Sequence, residues 1–373
     1  MEKKERYASL AAKVRETQIG NQKVVMGFDG FVDNVVYVVD KRIDADHYER
    51  VNYLKDYGEK IVRAAGRSMN IEMIPIQKKL GGNGPILANS LLSLGSALTY
   101  IGALGKEAIH PVFSDMKRCE EIFSVADPGN TDAIEFLDGK IISSQLEPLK
   151  DVNWENICAT VGLEKIIQLF EEADLIGFEN WTLLIHMTEL WKHFLKEVIP
   201  FMEPQNKNQI LFVDLADPEK RETEAILEAF ELLKEFTKYF KVVLGLNYKE
   251  AAEVAELYGA EGAGQWKAKD LAAYIRKYVP VAQLVVHPVE GACVDTDQGT
   301  FWVDGPYCEK PVLTTGAGDN FNAGYILGLL LGCDEEESLT LGTANSGFYV
   351  RNARSASTGE LADFLEAWNR GNI

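Results

Sequence analysis

Cysteine is scarce in this 373-residue chain: five residues, at positions 119, 158, 293, 308 and 333, odd in number and without a Cys-x-x-Cys pair. That excludes a disulfide-stapled scaffold and leads to the expectation of a reduced, cytoplasmic protein. Histidine is as sparse, and no His-Glu-x-x-His occurs, so zinc is not expected. Long apolar runs are missing. The greasiest, Tyr325–Gly332, falls well short of the ~18–20 residues a membrane span needs. The charged first six residues lead into no apolar stretch, so no signal peptide is read there. Basic charge is in deficit: 38 Lys and Arg against 57 Asp and Glu leave a net −19. Broad contact with nucleic acid or anionic membrane is therefore not expected. No Gly-x-Gly-x-x-Gly follows the first strand and no Gly-x-x-x-x-Gly-Lys-Ser/Thr exists, which removes Rossmann dehydrogenases and P-loop kinases.

What is present is ample core material, 46% hydrophobic with 10% aromatic residues. Tyr7, Leu10, Ala11 and Val14 share one helical face, predicting an amphipathic helix over 3–18. Lys23–Phe28 reads as a buried strand. From Gly81 on, apolar strands (98–102, 174–178, 210–213, 242–245 and 284–286) alternate with helices at 85–94, 186–198, 223–239, 248–258 and 267–278. Strands that are apolar throughout, separated by helices, indicate a largely parallel sheet covered on both faces. Two segments break the rhythm. Strands at 34–39 and 70–76 flank a helical stretch in which Leu54, Tyr57, Ile61 and Ala64 share a face. Further on, Asp138-Gly139 between Ala133–Leu137 and Lys140–Ile142 signals a hairpin with a type I′ turn.

The densest chemistry lies in Thr314-Thr315-Gly316-Ala317-Gly318-Asp319-Asn320-Phe321. The glycines permit backbone conformations that let successive N–H groups curl around an anion. The helix that follows, over 318–332, adds its positive end, and that field is expected to favour an ionised Asp319. A phosphate cradle beside a carboxylate base is what phosphoryl transfer to a hydroxyl requires. The plainer alternative is a glycine-rich helix entry with an acid that complements the dipole.

Thr315–Asp319, followed by Phe321, Ala323 and Gly324, resembles the C-terminal signature of the ribokinase-like (PfkB-type) carbohydrate kinases. The likeness spans about residues 23–355. It implies an α/β fold: a three-layer α/β/α body with a mostly parallel central sheet and a small β lid. The body would take residues 1–33, 81–127 and 149–373, and the lid 34–80 and 128–148 with an inserted helix. It implies ATP, Mg²⁺ and a sugar or sugar-like acceptor, with Asp319 as base and Thr315, Gly316, Ala317 and Gly318 around the transferred phosphate. A nucleoside kinase and a catalytically silent sensor on the same fold stay open as alternatives, as does a homodimer through the lid. The family's Asp at the start of this motif is Leu313 here, so potassium dependence does not carry over with the resemblance.

Other positions extend the match. In Gly27–Asp33, Asp29 reads as a turn stabiliser, whereas Asp33 aligns with the acid that binds substrate hydroxyls. Gly81-Gly82-Asn83-Gly84-Pro85 opens a helix, with Asn83 a candidate cap. The spacing to Leu94-Gly95 fits the family's N-terminal signature, although its usual Asn is Ile86, which shifts acceptor recognition toward Asn83. Asn247-Tyr248-Lys249-Glu250 is both a capping-box pattern and the family's Asn-x-x-Glu, associated with Mg²⁺ through water. Glu179, at the end of a strand, is a candidate sugar contact or a solvated loop acid. In the family's Thr-x-Gly-x-x-Gly nucleotide loop, only Gly291 fits; Val286 and Pro288 replace the rest, and His287 reads as a packed or exposed loop residue. Because ATP is a polyanion, an acidic chain needs local cations, and the sequence does not name them.

Overall fold

The computed structural model describes residues 3–16, 19–203 and 208–373. Its strands in chain order are β1 (Lys23–Phe28), β2 (Phe31–Arg42), β3 (Tyr48–Arg50), β4 (Met73–Gly81), β5 (Ala97–Gly102), β6 (Glu121–Ser124) and β7 (Gly129–Glu135). They continue as β8 (Lys140–Gln145), β9 (Leu175–Glu179), β10 (Ile210–Asp214), β11 (Lys241–Asn247), β12 (Gln283–His287), β13 (Gly291–Thr296) and β14 (Gly299–Asp304). The helices that matter for the site are α1 (Lys3–Glu16), α2 (Leu54–Arg63), α3 (Asn83–Ser93), α4 (Tyr248–Leu257), α5 (Ala317–Leu330), α6 (Glu335–Asn352) and α7 (Thr358–Asn369).

One sheet has nine strands in the order β14-β13-β12-β11-β10-β9-β1-β5-β6. The pairings from β6 to β12 are all parallel, and β13–β14 is an antiparallel edge hairpin. Apolar clusters fill both faces. One gathers the stacked rings of Phe28, Phe170, Phe178 and Phe194. The other packs β-strand residues against α1, α3, α5, α6 and α7. This is the three-layer α/β/α fold expected from the alternating pattern. Each fully buried ring contributes about 1.5–3 kcal/mol of transfer free energy, so the scaffold around the strand ends is firmly held. Helix α1 covers the sequence-predicted segment through Glu16, with Tyr7, Leu10, Ala11 and Val14 all buried; residues 17 and 18 lie outside the described set.

The chain order places β1 first, with later strands added on both sides of it, so the sheet reverses direction beside β1. Ligands gather at such switch points, outside the strands' C-terminal ends. Helix α5 enters this crevice. It is buried nearly all round because two of its glycines let α6 approach: a Cβ on Gly324 would sit 2.4 Å from the Leu341 carbonyl oxygen, and one on Gly328 2.6 Å from the Ser338 Cα. Among the described residues no helix is long and apolar enough to cross a membrane.

The second sheet has five strands, in the order β3-β2-β7-β8 with β4 also paired to β2. Val36, Val38, Val51, Tyr57, Ile134 and Phe136 form its own small core. Two expectations need correction here. Helix α2 buries Tyr57, but Ile61 is 48% exposed, so the apolar face is narrower than its spacing suggested. The β7–β8 hairpin has a four-residue loop, with Glu135 paired to Lys140, rather than a two-residue type I′ turn. Asp138 is spent otherwise: its Oδ1 accepts the Leu54 N–H at 3.0 Å, at the start of α2.

Candidate active site

The loop after β1 and the entry of α3 are built around one buried acid. Asp29 accepts the backbone N–H groups of Asn83 (3.0 Å) and Gly84 (2.9 Å) and the Asn180 amide (2.7 Å). Burial pushes its pKa up to about 6, and these donors oppose the shift. Asp29 thus satisfies two of the orphan donors at the first turn of α3, the turn-stabilising part read from sequence. The cap itself differs from expectation. Gly82, at φ 95°, occupies the N-cap position and has no side chain to cap with, so the capping oxygens come from Asp29. Asn83 lies inside the first turn and its amide points elsewhere, donating to Asp319 Oδ1 at 3.1 Å. A Cβ on Gly81 would lie 2.2 Å from an Asp33 carboxylate oxygen, so any side chain there would displace the Asp33 carboxylate.

Opposite stands the Thr314–Asp319 turn. Gly316 takes the left-handed conformation (φ 91°) at the N-cap of α5. The turn is tied from behind: the Tyr349 hydroxyl donates to the Thr315 carbonyl at 2.8 Å, and the Asn320 amide donates to the Gly316 carbonyl at 2.8 Å. Asn345 in turn donates to the Asn320 carbonyl at 2.6 Å. Asp319 is buried in the first helical turn. Burial, and then the negative charges of Asp214 and Asp29, hold its pKa well above the ordinary carboxylate value, with the Asn83 bond opposing. Desolvation therefore outweighs the helix field that the sequence was read to supply.

Two cavities flank this turn. One, of about 340 Å³, is bordered by Thr315, Gly316 and Asp319, together with Gly82, Asn83, Ile86, Asn180 and Leu313. Its other wall is the five-stranded sheet: Phe31, Asp33 and Val35; Gln77 and Lys79; Thr131, Ala133 and Glu135; Lys140, Ile142 and Ser144. Within each strand these residues are two apart, so the strand period alone aims a single face at the cavity. The second cavity, of about 390 Å³, is bordered by Thr314, Ala317 and Gly318 with Asn247, His287, Gly291, Tyr307 and Phe321. A single stretch of six residues is the partition between the two.

Burial raises the pKa of Asp33, while the nearby Lys79 and Lys140 ammoniums pull it back down. Asn247 and Glu250 form a capping box on α4. Asn247 Oδ1 accepts the Glu250 N–H, and the Glu250 oxygens accept the N–H groups of Asn247 (2.9 Å) and Asp217 (2.8 Å). Asn247 borders the larger cavity, whereas Glu250 is buried behind it. Gly291 also borders that cavity; a Cβ on it would meet the Val303 carbonyl oxygen at 2.4 Å. His287 packs on Phe321 with ring centroids 4.8 Å apart, its Nε2 without a partner, and burial pushes its pKa down to about 4. Glu179 is not a solvated loop acid. It is the buried last residue of β9, borders neither cavity, and has no hydrogen-bond partner on either oxygen. Desolvation first, then Asp214, Asp319 and Asp29, hold its pKa well above the ordinary range.

Sequence reasoning missed Lys79, Lys140 and Tyr349. None belongs to a motif. For the lysines the available signal was strand alternation, which puts Lys79 on one face with Gln77 and Lys140 on one face with Ser144.

A nine-stranded, mostly parallel sheet between helical layers, with a second sheet over a cavity at its strand ends, defines a ribokinase-fold carbohydrate kinase. The chain belongs more narrowly to the prokaryotic ketohexokinase family, which it matches over residues 2–368. It is 29% identical to a ketohexokinase of Haloferax volcanii over 353 residues, 94% of this chain and 92% of that protein. Among solved structures it is similar to Arabidopsis thaliana ribokinase complexed with ribose and ATP, with TM-score 0.62 and 15% identity over 93% of this chain and 99% of that one. It is also similar to adenosine kinase from Sinorhizobium meliloti, with TM-score 0.61 and 18% identity over 96% and 100% of the two chains. Those two likenesses are of fold.

Proposed function

We propose that this kinase transfers the γ-phosphoryl group of ATP to a hydroxyl of a ketohexose. One observation carries the reading: the Thr314–Asp319 turn separates two cavities, with Asp319 on one side and Ala317 and Gly318 on the other. The 340 Å³ cavity takes the acceptor and the 390 Å³ cavity the nucleotide. Asp33 and Asn83, next to Gly81 and Gly82, hold the acceptor hydroxyls. Asp319 accepts the proton of the reacting hydroxyl as its oxygen bonds to the γ-phosphorus. The bond from that phosphorus to the β–γ bridging oxygen breaks, and ADP leaves with the electron pair. The N–H groups of Gly316 and Gly318, at the positive end of α5, stabilise the charge on the moving phosphoryl oxygens, whereas that of Ala317, expected to join them, is taken by the Thr314 carbonyl at 3.1 Å.

Mg²⁺ suits hard oxygen donors that keep its waters. Asn247 at the nucleotide cavity, with Glu250 behind it, would hold the ion through water, where it neutralises the donor phosphates. Gly291 forms part of the nucleotide wall. Glu179 is buried beneath the site and borders neither cavity, so we assign it no contact with the sugar. The second sheet serves as the lid, residues 34–80 and 128–148, and excludes water as a competing acceptor. Its exposed Met73, Ile76 and Ile141 give it an apolar surface on which a second copy would pair.

A ketohexose fits the acceptor cavity better than a nucleoside. The lining mixes apolar side chains (Val35, Ile86, Leu183 and Leu313) with polar ones (Asp33, Gln77, Asn83, Thr131 and Ser144), and Phe31 is its one aromatic ring among the described residues, whereas a base is best held by stacking on rings. The test is ADP release from ATP and Mg²⁺ across a panel of ketoses, aldoses and nucleosides, for wild type and Asp319→Asn. Ketohexose-dependent release that falls by orders of magnitude in the variant supports the reading. Near-normal turnover by Asp319→Asn, or a nucleoside as the sole acceptor, overturns it. Absence of turnover with every compound would point to a sensor.

A further inference from the structure

The charge balance of the two cavities leaves one group without an assignment. The chain carries a net −19, and ATP adds further negative charge. Among the described residues, the only Lys or Arg side chains bordering either cavity are Lys79 and Lys140, and both come from the five-stranded sheet. Lys79 is directly opposite Asp33 in the β2–β4 register, and the two are coupled electrostatically. Lys140 is opposite Glu135 in the β7–β8 register and, like Lys79, acts electrostatically on Asp33, but it also reaches beyond its sheet. As the first residue of β8 it crosses the cavity, and its ammonium donates to the Thr315 hydroxyl, immediately before the Gly316–Gly318 turn. An ammonium has three N–H donors and the hydroxyl takes one of them. No carboxylate forms an ion pair with it among the described residues. Lys140, Thr315, Gly316 and Asp319 border the same cavity.

We propose that Lys140 is a catalytic residue delivered by the lid: its ammonium contacts the oxygens of the γ-phosphoryl group as that group passes between the nucleotide and acceptor cavities. This rests on the phosphotransfer reading above. Backbone amides at the α5 entry meet the phosphoryl group from the body, and Lys140 meets it from the opposite side. A point charge in a water-poor site favours the transition state because charge is spread over the equatorial oxygens there. Because the contact joins the five-stranded sheet to the turn before α5, it exists only while the lid lies over that turn, so full catalysis requires closure. The other use of such a lysine is to hold an anionic substituent of the acceptor, which would affect binding rather than the chemical step.

The experiment is steady-state kinetics of Lys140→Met, Lys140→Gln and Lys140→Arg, with Asp319→Asn alongside and thermal melting to verify folding. Expected is a kcat loss of about 10²–10³-fold in Lys140→Met and Lys140→Gln, with the sugar KM changed by less than about threefold. Lys140→Arg should recover to within about tenfold of wild type, since it keeps the charge on a differently shaped head. A kcat within threefold of wild type in folded Lys140→Met, or a loss confined to the sugar KM, overturns the proposal while Asp319→Asn stays inactive. If Asp319→Asn is also active, the phosphotransfer assignment fails as well, so the two failures are distinguishable.

Discussion

Asn83 and Asp319 lie 236 positions apart in sequence, yet the Asn83 amide donates to the Asp319 carboxylate at 3.1 Å. Asn83 opens α3 and Asp319 lies in the first turn of α5, and their hydrogen bond joins the acceptor side of the cavity to the proposed base. Asn83→Ala removes a donor to the charged form of Asp319. A hydrogen bond to an ionised group is worth ~1.5–3 kcal/mol, so kcat should fall by about 10–100-fold. Because that bond lowers the Asp319 pKa, its loss raises it. The acidic limb of the kcat/KM profile should move to higher pH, and an unmoved limb would disconnect Asn83 from the base.

Glu179 supplies a stability test. Its folded-state pKa is held well above the unfolded value by burial. Below pH ~4, where the unfolded carboxyl is also protonated, the group imposes no ionisation penalty. As pH rises through the unfolded value toward the folded one, the unfolded state gains stability by ionising and the fold loses it. Asp29, raised to about 6, and Asp214, raised to about 8, act with the same sign. Glu179→Gln should therefore raise Tm by about 2–4 °C at pH 8 and leave it unchanged near pH 4. A loss of Tm at pH 8 would mean the carboxylate has a stabilising partner.

Glu250 separates its capping role from metal positioning. Both oxygens accept backbone N–H groups, so Glu250→Gln replaces one acceptor with a donor and should cost about 1–3 kcal/mol of stability. If the carboxylate also orders the water shell of Mg²⁺, the concentration of Mg²⁺ for half-maximal turnover should rise several-fold. A lowered Tm with unchanged Mg²⁺ activation would leave the residue as a cap alone.

Leu313 borders the acceptor cavity and brings no carboxylate to the place where the resembled signature carries an Asp. Turnover should be the same, within about twofold, in potassium, sodium and choline salts of equal ionic strength. A potassium-specific rise would require another set of oxygen ligands.

A pairing through the lid would be visible in sedimentation. Dimers that dissociate when Ile76 and Ile141 are both changed to Lys are the expected result. A wild-type monomer at micromolar concentration would remove the pairing.

The Thr315–Asp319 turn, the strand–helix alternation and the Asn247–Glu250 box were legible in sequence because each is local. Glycine freedom, apolar periodicity and capping chemistry act over fewer than ten residues. What sequence misplaced depended on distant partners. Asn83 has the chemistry of a cap, and its actual partner is a carboxylate on another helix. Glu179 looks like a loop acid until the parallel strands on either side bury it. Asp319 was read from its helix field alone, yet the burial that dominates its pKa comes from neighbouring elements.

By itself, then, the sequence determined the layered α/β fold and the turn that faces both cavities, since short-range sterics and hydrophobic period specify them. Tertiary structure alone decided which side chains meet across that turn. Lys140 reaches Thr315 from 175 positions away and Tyr349 holds the turn from behind. No periodicity encodes either contact, because chain closure over such distances is directed by the packing of the whole core.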